Sequence, residues 1–200
     1  PVGAAWGELV YGVTQQGSLV SFRSSNPTNI LSGVAIQGLQ SNEVIHGIDF
    51  RPATGELYAL GSFSRLYRID RMSGVASQVG AVLSPALNGT SFGFDFNPTV
   101  DRIRIVSDSN QNLRVNPDTG ATILDGGLSY AGSDPRAGMN PNVVHAAYTN
   151  SFPGATSTTL YVLDTTLDAL VIQNPANSGT LMTVGSIGAD ITDLGGFDIS

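Results

Sequence analysis

The chain repeats one short pattern four times, and the period of this repeat constrains the fold more than any other feature. Equivalent strand phrases begin at Leu19, Leu66, Leu113 and Leu170, so successive copies lie 47, 47 and 57 residues apart. A period of this size is typical of the four-stranded blade of a β-propeller. The sequence therefore predicts an all-β fold, a small propeller of four blades of about 47 residues, in a single domain that spans residues 1–200.

A second phrase marks the first strand of each repeat. The phrase consists of Gly, an apolar residue, Asp, and then an aromatic or apolar residue. The third copy matches this pattern less well than the others. The four copies are Ile45–Phe50, Ser91–Phe96, Val144–Thr149 and Gly195–Ile199. The alternation of apolar and polar residues predicts strands, and the intervening segments, with Pro early and Gly late, predict tight turns.

The two ends of the chain complement each other. Residues 8–13, 17–22 and 30–36 resemble the second, third and fourth strands of a blade that lacks a first strand, whereas Gly196–Ile199 resembles a first strand alone. We therefore predict that Gly196–Ile199 pairs with Glu8–Val13, which completes one blade and leaves no open sheet edge.

Composition excludes several classes of function. The chain has no cysteine, which rules out disulfides and thiolate chemistry. It has no lysine and a net charge of −7, which is unsuited to nucleic acid, and no apolar run is long enough to span a membrane. The start at Pro1 without Met favours removal of a targeting segment. We expect an extracytoplasmic location: periplasmic, secreted or in an organelle lumen.

Three phrases resemble an uncharacterised bacterial family of domains of unknown function with propeller repeats. They are Gly47–Leu60, Thr90–Arg104 and Gln111–Gly120, and the resemblance extends over nearly the whole chain. It implies a propeller fold and, because members usually carry export signals, an exported protein. Members continue with a further blade after the Gly-Phe-Asp-Ile phrase, so either this member has fewer blades than its relatives or the sequence ends before a fifth blade.

Three aspartates occupy the same position in successive first strands. They are Asp49, Asp95 and Asp198, and Tyr148 takes the fourth place. First strands line the axis of a propeller, so the three carboxyl groups are expected to converge there. In one interpretation each accepts hydrogen bonds from backbone or a neighbouring blade. In the other they bind a metal, for which oxygen ligands favour Ca²⁺. No other cofactor is expected.

Catalytic patterns are absent from the sequence. His46 and His145 also occupy equivalent repeat positions, which favours packing or a backbone hydrogen bond over zinc binding. No Gly-x-Ser-x-Gly elbow and no recognisable triad occurs. We therefore expect that the protein is not an enzyme.

These observations favour a non-catalytic extracytoplasmic module that acts as an interaction or scaffold subunit for a protein or glycan partner. Two alternatives stay open: a subunit of a larger complex or fibre, and a Ca²⁺-dependent, hydrolase- or lactonase-like enzyme that uses the channel aspartates. Irregular insertions on a rigid scaffold are common contact sites. The candidate contact residues are Ser129, Tyr130, Asp134, Arg136, Ser151 and Phe152.

Overall fold

The computed structural model describes residues 7–199, which form four small sheets arranged as a four-bladed β-propeller. Blade 1 contains β1 (Leu9–Val13), β2 (Ser18–Arg23) and β3 (Asn26–Ala35). Blade 2 contains β4 (Ile45–Phe50), β5 (Leu57–Gly61), β6 (Arg65–Ile69) and β7 (Ala76–Val79). Blade 3 contains β8 (Phe92–Asn97), β9 (Arg102–Ser107), β10 (Asn112–Val115) and β11 (Thr122–Leu124). The all-β prediction and the number of blades are confirmed.

Blade 4 has five strands. It contains β12 (Ser129–Tyr130), β13 (Val143–Tyr148), β14 (Leu160–Asp164), β15 (Ala169–Gln173) and β16 (Thr180–Ser186). Strand β12 pairs in parallel with β16 at the outer edge, and the other pairings in the four blades are antiparallel. Between residues 7 and 199 the only helical segment is a single 3-10 turn, Ala176–Ser178, so this part of the chain has no helix able to cross a membrane.

Glycine in the repeated phrase lets the inner strands approach one another. A Cβ atom at Gly47 would lie 2.7 Å from Cβ of Phe94, and one at Gly93 would lie 2.8 Å from backbone atoms of His145 and Ala146. These distances are shorter than ordinary carbon contacts, so any larger residue would push β4 from β8, or β8 from β13. The repeated glycine is therefore a packing requirement of neighbouring blades.

Apolar clusters fill the space between consecutive blades. Blades 2 and 3 share a cluster that includes Tyr58, Leu66, Phe94, Phe96, Ile103 and Leu113. Val106 of blade 3 belongs to the cluster of blade 4, and Leu19 of blade 1 belongs to that of blade 2. The core is thus a set of layers between sheets, as expected when successive blades pack face to face.

Two buried arginines join neighbouring blades. Arg51, at the end of β4, donates to both Asp101 and Asp118 in turns of blade 3. Arg104 of β9 donates to Asp125 at 2.8 Å within blade 3 and to Asn177 at 2.6 Å in blade 4. Both guanidinium groups are buried and each bonds to a residue of the next blade, so these arginines hold neighbouring blades together.

The predicted pairing that completes blade 1 is wrong. Residues 196–199 lie outside any strand, and blade 1 has three strands in the described part of the chain. The chain just before them is tied to blade 4 instead. The carbonyl of Thr192 lies 3.0 Å from Nε2 of His145, and the Asp193 carboxylate accepts hydrogen bonds from Asn142 and Thr165.

Candidate functional site

A cavity of about 840 Å³ lies at the axis, where the first strand of blade 1 would be. We call it the axial cavity. One wall is β1 with its flanks, and the opposite walls are the inner strands β4, β8 and β13. Residues 194–199 form the C-terminal segment, of which 194–198 complete the lining. In the part of the chain that the structure describes, blade 1 has no first strand, which leaves a partly open space of ligand size.

One edge of β1 has no partner among residues 7–199. The amide of Ser24 donates to Glu8 and that of Thr14 donates to Ser18, which fixes the even-numbered residues of β1 as those that bond to β2. The backbone N–H and C=O groups of Leu9, Tyr11 and Val13 therefore point away from β2. All three residues line the axial cavity, so its wall offers alternating backbone donors and acceptors.

The structure brings Asp49, Asp95 and Asp198 to the axial cavity. Asp49 Oδ2 accepts a hydrogen bond of 2.8 Å from the amide of Phe96, and Asp95 Oδ2 accepts one of 2.7 Å from the amide of Tyr148. Each of these two aspartates thus binds the backbone of the next blade, which matches the structural interpretation. Asp198 is exposed, and its Oδ1 accepts from the amide of the following residue.

Asp49 and Asp95 interact directly. Burial raises the pKa of Asp49 to about 7, and burial together with the charge of Asp49 raises the pKa of Asp95 well above its usual value. Hydrogen bonding between the two carboxyl groups lowers the pKa of Asp49 and raises that of Asp95. Both pKa shifts are explained if Asp95 carries a proton and donates it in a hydrogen bond to the Asp49 carboxylate. Asp95 therefore keeps its proton to higher pH than Asp49 and shares it with Asp49 through this hydrogen bond.

The two histidines line the same cavity but differ in their contacts. The ring of His46 packs on that of Phe92, with 4.8 Å between centroids, and burial lowers its pKa. His145 is 7% exposed and contacts the Thr192 carbonyl. Both contacts are of the structural kind that the repeat positions favour.

The metal interpretation of the aspartates stays a prediction. Within residues 7–199, no group of three or more His, Cys, Asp or Glu side chains is arranged to hold a metal ion. The oxygens of Asp49 accept backbone hydrogen bonds on both sides, from Phe50 and Phe96. A bound cation would therefore have to compete with these amides.

The predicted contact residues of the first insertion mostly hold that insertion in place. Tyr130 is buried in β12, and its hydroxyl donates to Asp164 at 2.6 Å. Asp134 accepts from the amide of Thr183 at 2.6 Å, and Arg136 donates to the Thr183 hydroxyl at 3.3 Å. The predicted surface loop is thus anchored to blade 4. Ser129 is exposed on the outer edge of blade 4.

The second insertion lies close to the axial cavity. Ser151 and Phe152 are exposed and line a neighbouring open cavity of about 920 Å³. This neighbouring cavity shares Tyr11, Asp49 and Asp198 with the axial cavity, so it forms the mouth of the latter. Phe152, 54% exposed, is therefore a rim residue of the same site.

Sequence reasoning did not predict the open edge of β1. The sequence feature that points to this edge is the lack of a first strand in the N-terminal repeat. The sequence analysis instead predicts that the C-terminal segment supplies that strand. The exposed Glu8 at the start of this edge was not singled out either, although it also lines the axial cavity.

The chain belongs to the family described as "Domain of unknown function (DUF4394)", which matches residues 18–200. A comparison with curated proteins found no significant match. The resemblance noted from the repeat phrases is therefore confirmed at the level of the family.

Solved structures share the fold at low sequence identity. A protein of unknown function from Bacteroides thetaiotaomicron is similar with a TM-score of 0.53 and 16% identity over 91% of this chain and 44% of its own. A Myxococcus xanthus glutaminyl cyclase is similar with a TM-score of 0.54 and 14% identity over 88% of this chain and 69% of its own. An auxiliary nutrient binding protein from Bacteroides thetaiotaomicron is similar with a TM-score of 0.51 and 16% identity over 86% of this chain and 46% of its own. The chain thus spans about half the length of the two Bacteroides proteins.

Proposed function

We propose that the protein is a non-catalytic interaction module that binds an extended segment of a partner protein along β1. The observation that carries this proposal is the edge of Leu9, Tyr11 and Val13, which faces the axial cavity without a partner in the described chain. The other three blades each have an inner strand at this place. An added strand would bond to the exposed backbone groups and give blade 1 the four strands of a complete blade.

The walls of the axial cavity suit a peptide. Tyr11 and Phe50 meet edge to face, with 5.3 Å between their ring centroids, and Arg71 lies 5.4 Å from the Phe50 centroid at the mouth. Aromatic side chains beside an open strand edge offer apolar contact for alternate side chains of a bound strand. A glycan offers no regular series of backbone groups to match the β1 edge, so a protein partner is favoured.

The module is proposed to act outside the cytoplasm. The absence of cysteine and lysine, the acidic charge and the export signals implied by the resemblance support this location. An interaction or scaffold role in a larger assembly follows if the bound strand belongs to another subunit.

A hydrolase- or lactonase-like enzyme is the second candidate, and the Asp49–Asp95 pair in the axial cavity is the observation that favours it. Two carboxyl groups that share a proton can act as acid and base. One named neighbour is a glutaminyl cyclase, but at 14% identity the likeness extends to the fold alone. Calcium analysis by mass spectrometry, with assays of lactone and ester hydrolysis, separates the candidates. Turnover that Asp95→Asn abolishes would support the enzyme.

The interaction function is tested by blocking the β1 edge. Leu9 is the first residue of β1, is 45% exposed, and has its N–H on the open side, so Leu9→Pro removes an edge donor without removing a bond to β2. Leu9→Thr keeps the N–H and is the matched control. Immobilised wild-type protein and Leu9→Thr should retain the same partner from an extract of the source, and Leu9→Pro should retain at least about tenfold less. Equal retention by Leu9→Pro, with unchanged thermal stability, would contradict the proposal.

A further inference from the structure

We propose that the bound strand places a basic side chain, arginine or lysine, into the axial cavity between Asp49 and Asp198. This inference rests on the proposed function and adds the chemistry of the partner segment. It follows from the charges on the walls, from the position of the open edge and from the state of the carboxyl groups.

The lining of the axial cavity is acidic on every side. Glu8 precedes β1, Asp49 lies on β4, Asp95 on β8 and Asp198 in the C-terminal segment. None of the described residues that line this cavity is an arginine, and the chain has no lysine. Asp49, Asp95 and Asp198 interact through their charges, and no arginine lines this cavity beside them, so a cationic group from outside would relieve their repulsion.

The carboxyl groups differ in how accessible they are to a cation that enters the cavity. Asp95 is 2% exposed, and its carboxyl group is already hydrogen-bonded to the Tyr148 amide and to the Asp49 carboxyl group. Asp49 is half-buried and Asp198 is exposed, and the charge of Asp198 raises the pKa of Asp49. Both residues also line the mouth together with Arg51 and Arg71, so a cation that passes these arginines reaches Asp198 and Asp49 before Asp95.

Pairing with the open edge of β1 would determine which side chains of the bound strand point toward the carboxyl groups. A strand that pairs with β1 points alternate side chains toward opposite faces. One set meets the apolar wall of Tyr11 and Phe50, and the other set can reach the carboxyl groups. A basic residue flanked by apolar residues on a six- to eight-residue strand is the occupant that satisfies both the backbone edge and the charge.

Binding should favour ionisation of Asp49, whose pKa is about 7, because a neighbouring cation stabilises the charged carboxylate. Affinity is therefore expected to rise as the pH increases from 5 to about 8. The charged and titratable residues that line the axial cavity with Asp49 are Glu8, Tyr11, His46, Asp95, His145 and Asp198, and Arg51 and Arg71 line its mouth. Burial lowers the pKa of His46, so that ring adds little positive charge in this range.

The experiment is a selection of random heptapeptides displayed on phage against the immobilised protein at pH 8. Arginine or lysine should be enriched at one position, with β-branched or aromatic residues alternating around it. The best peptide is then synthesised with arginine and with citrulline, a neutral isostere. The arginine peptide should bind at least tenfold more tightly, and Glu8→Gln/Asp198→Asn should remove that advantage. Asp190→Asn, an exposed carboxyl group outside the cavity, is the matched control and should keep it.

The outcomes separate the two proposals. Peptides that bind wild type and Leu9→Pro equally well would refute strand pairing, and with it both proposals. Peptides that need the Leu9 edge but lack a basic residue, or whose citrulline form binds as tightly, would refute the basic side chain alone. A selection without any enrichment would also overturn both.

Discussion

Replacement of Gly93 by alanine tests the packing of the inner strands on which the whole propeller depends. A Cβ atom there would lie 2.8 Å from the carbonyl carbon of His145, from the amide nitrogen of Ala146 and from Cγ2 of Val106. Ordinary contacts of such atoms begin at about 3.5 Å. Two of the three neighbours are backbone, so relief of the overlap requires β8 and β13 to separate by about 0.7 Å, the difference between those distances.

The magnitude follows from this geometry. Overpacking of a well-packed site lowers the free energy of unfolding by about 1–3 kcal/mol, and a clash with backbone belongs at the upper end. For a domain of this length, each kcal/mol corresponds to about 2–4 °C, so a loss of about 2–3 kcal/mol in Gly93→Ala should lower the melting temperature by about 4–12 °C. Thermal melts followed by circular dichroism, with urea titrations for the free energy, measure both quantities.

Gly12→Ala is the matched control. Gly12 is also in an inner position of its blade, but its nearest neighbours, side-chain atoms of Phe22 and Val20, would be 3.9 Å from the new Cβ. The free energy of unfolding should stay within about 0.5 kcal/mol, since alanine also restricts the unfolded chain. If Gly93→Ala melted within about 1 °C of Gly12→Ala, the close approach of β8 and β13 would be refuted.

Three further predictions concern charge and the C-terminal segment. The raised pKa of Asp49, about 7, means that the folded state holds a proton that the unfolded state releases above its ordinary value of 3.8, so this group's stabilisation declines as pH rises from about 4 to 7. The free energy of unfolding of wild type, relative to that of Asp49→Asn, should therefore fall over that range, and a constant difference in urea titrations would contradict the assignment. Arg104→Met should destabilise by about 2–3 kcal/mol, because Asn112 and Asn177 lose a charged partner while Asp125 keeps Arg114, and a loss below 1 kcal/mol in the same titrations would be inconsistent with the bridge. Deletion of residues 194–200 should lower stability by only about 1–2 kcal/mol, the scale of two half-buried apolar side chains, and a loss like that of a paired strand would restore the closure model.

The sequence predicted the blades because each repeat carries its own local information. Alternation, turn residues and the aspartate phrase fix strands such as Ile45–Phe50 and Arg102–Ser107, whose observed bounds match the predicted ones. Strand β16 was missed because the fourth repeat gives no phrase after Gln173 that resembles the other copies. Strand β12 was missed because two residues in a Gly- and Pro-rich stretch carry no periodicity.

The C-terminal segment shows that local sequence similarity to a strand is not sufficient to predict strand pairing. Gly195–Ile199 resembles a first strand, but pairing depends on where the preceding chain is held, and Asp193 binds Asn142 and Thr165 of blade 4. Two adjacent glycines also raise the entropy lost on ordering four residues. The three aspartates could be placed at the axis from their repeat position, whereas the shared proton of Asp49 and Asp95 depends on burial and distance that only the structure gives.

The exchange of individual amide hydrogens of β1 tests the central claim most directly. In the free protein, Leu9, Tyr11 and Val13 should exchange fast, whereas Val10 and Gly12, which bond to β2, should be protected. Addition of the partner or of a selected peptide should slow the first three by at least about tenfold, as measured by nuclear magnetic resonance. Saturating partner that leaves the exchange of Leu9, Tyr11 and Val13 unchanged would contradict strand pairing at β1.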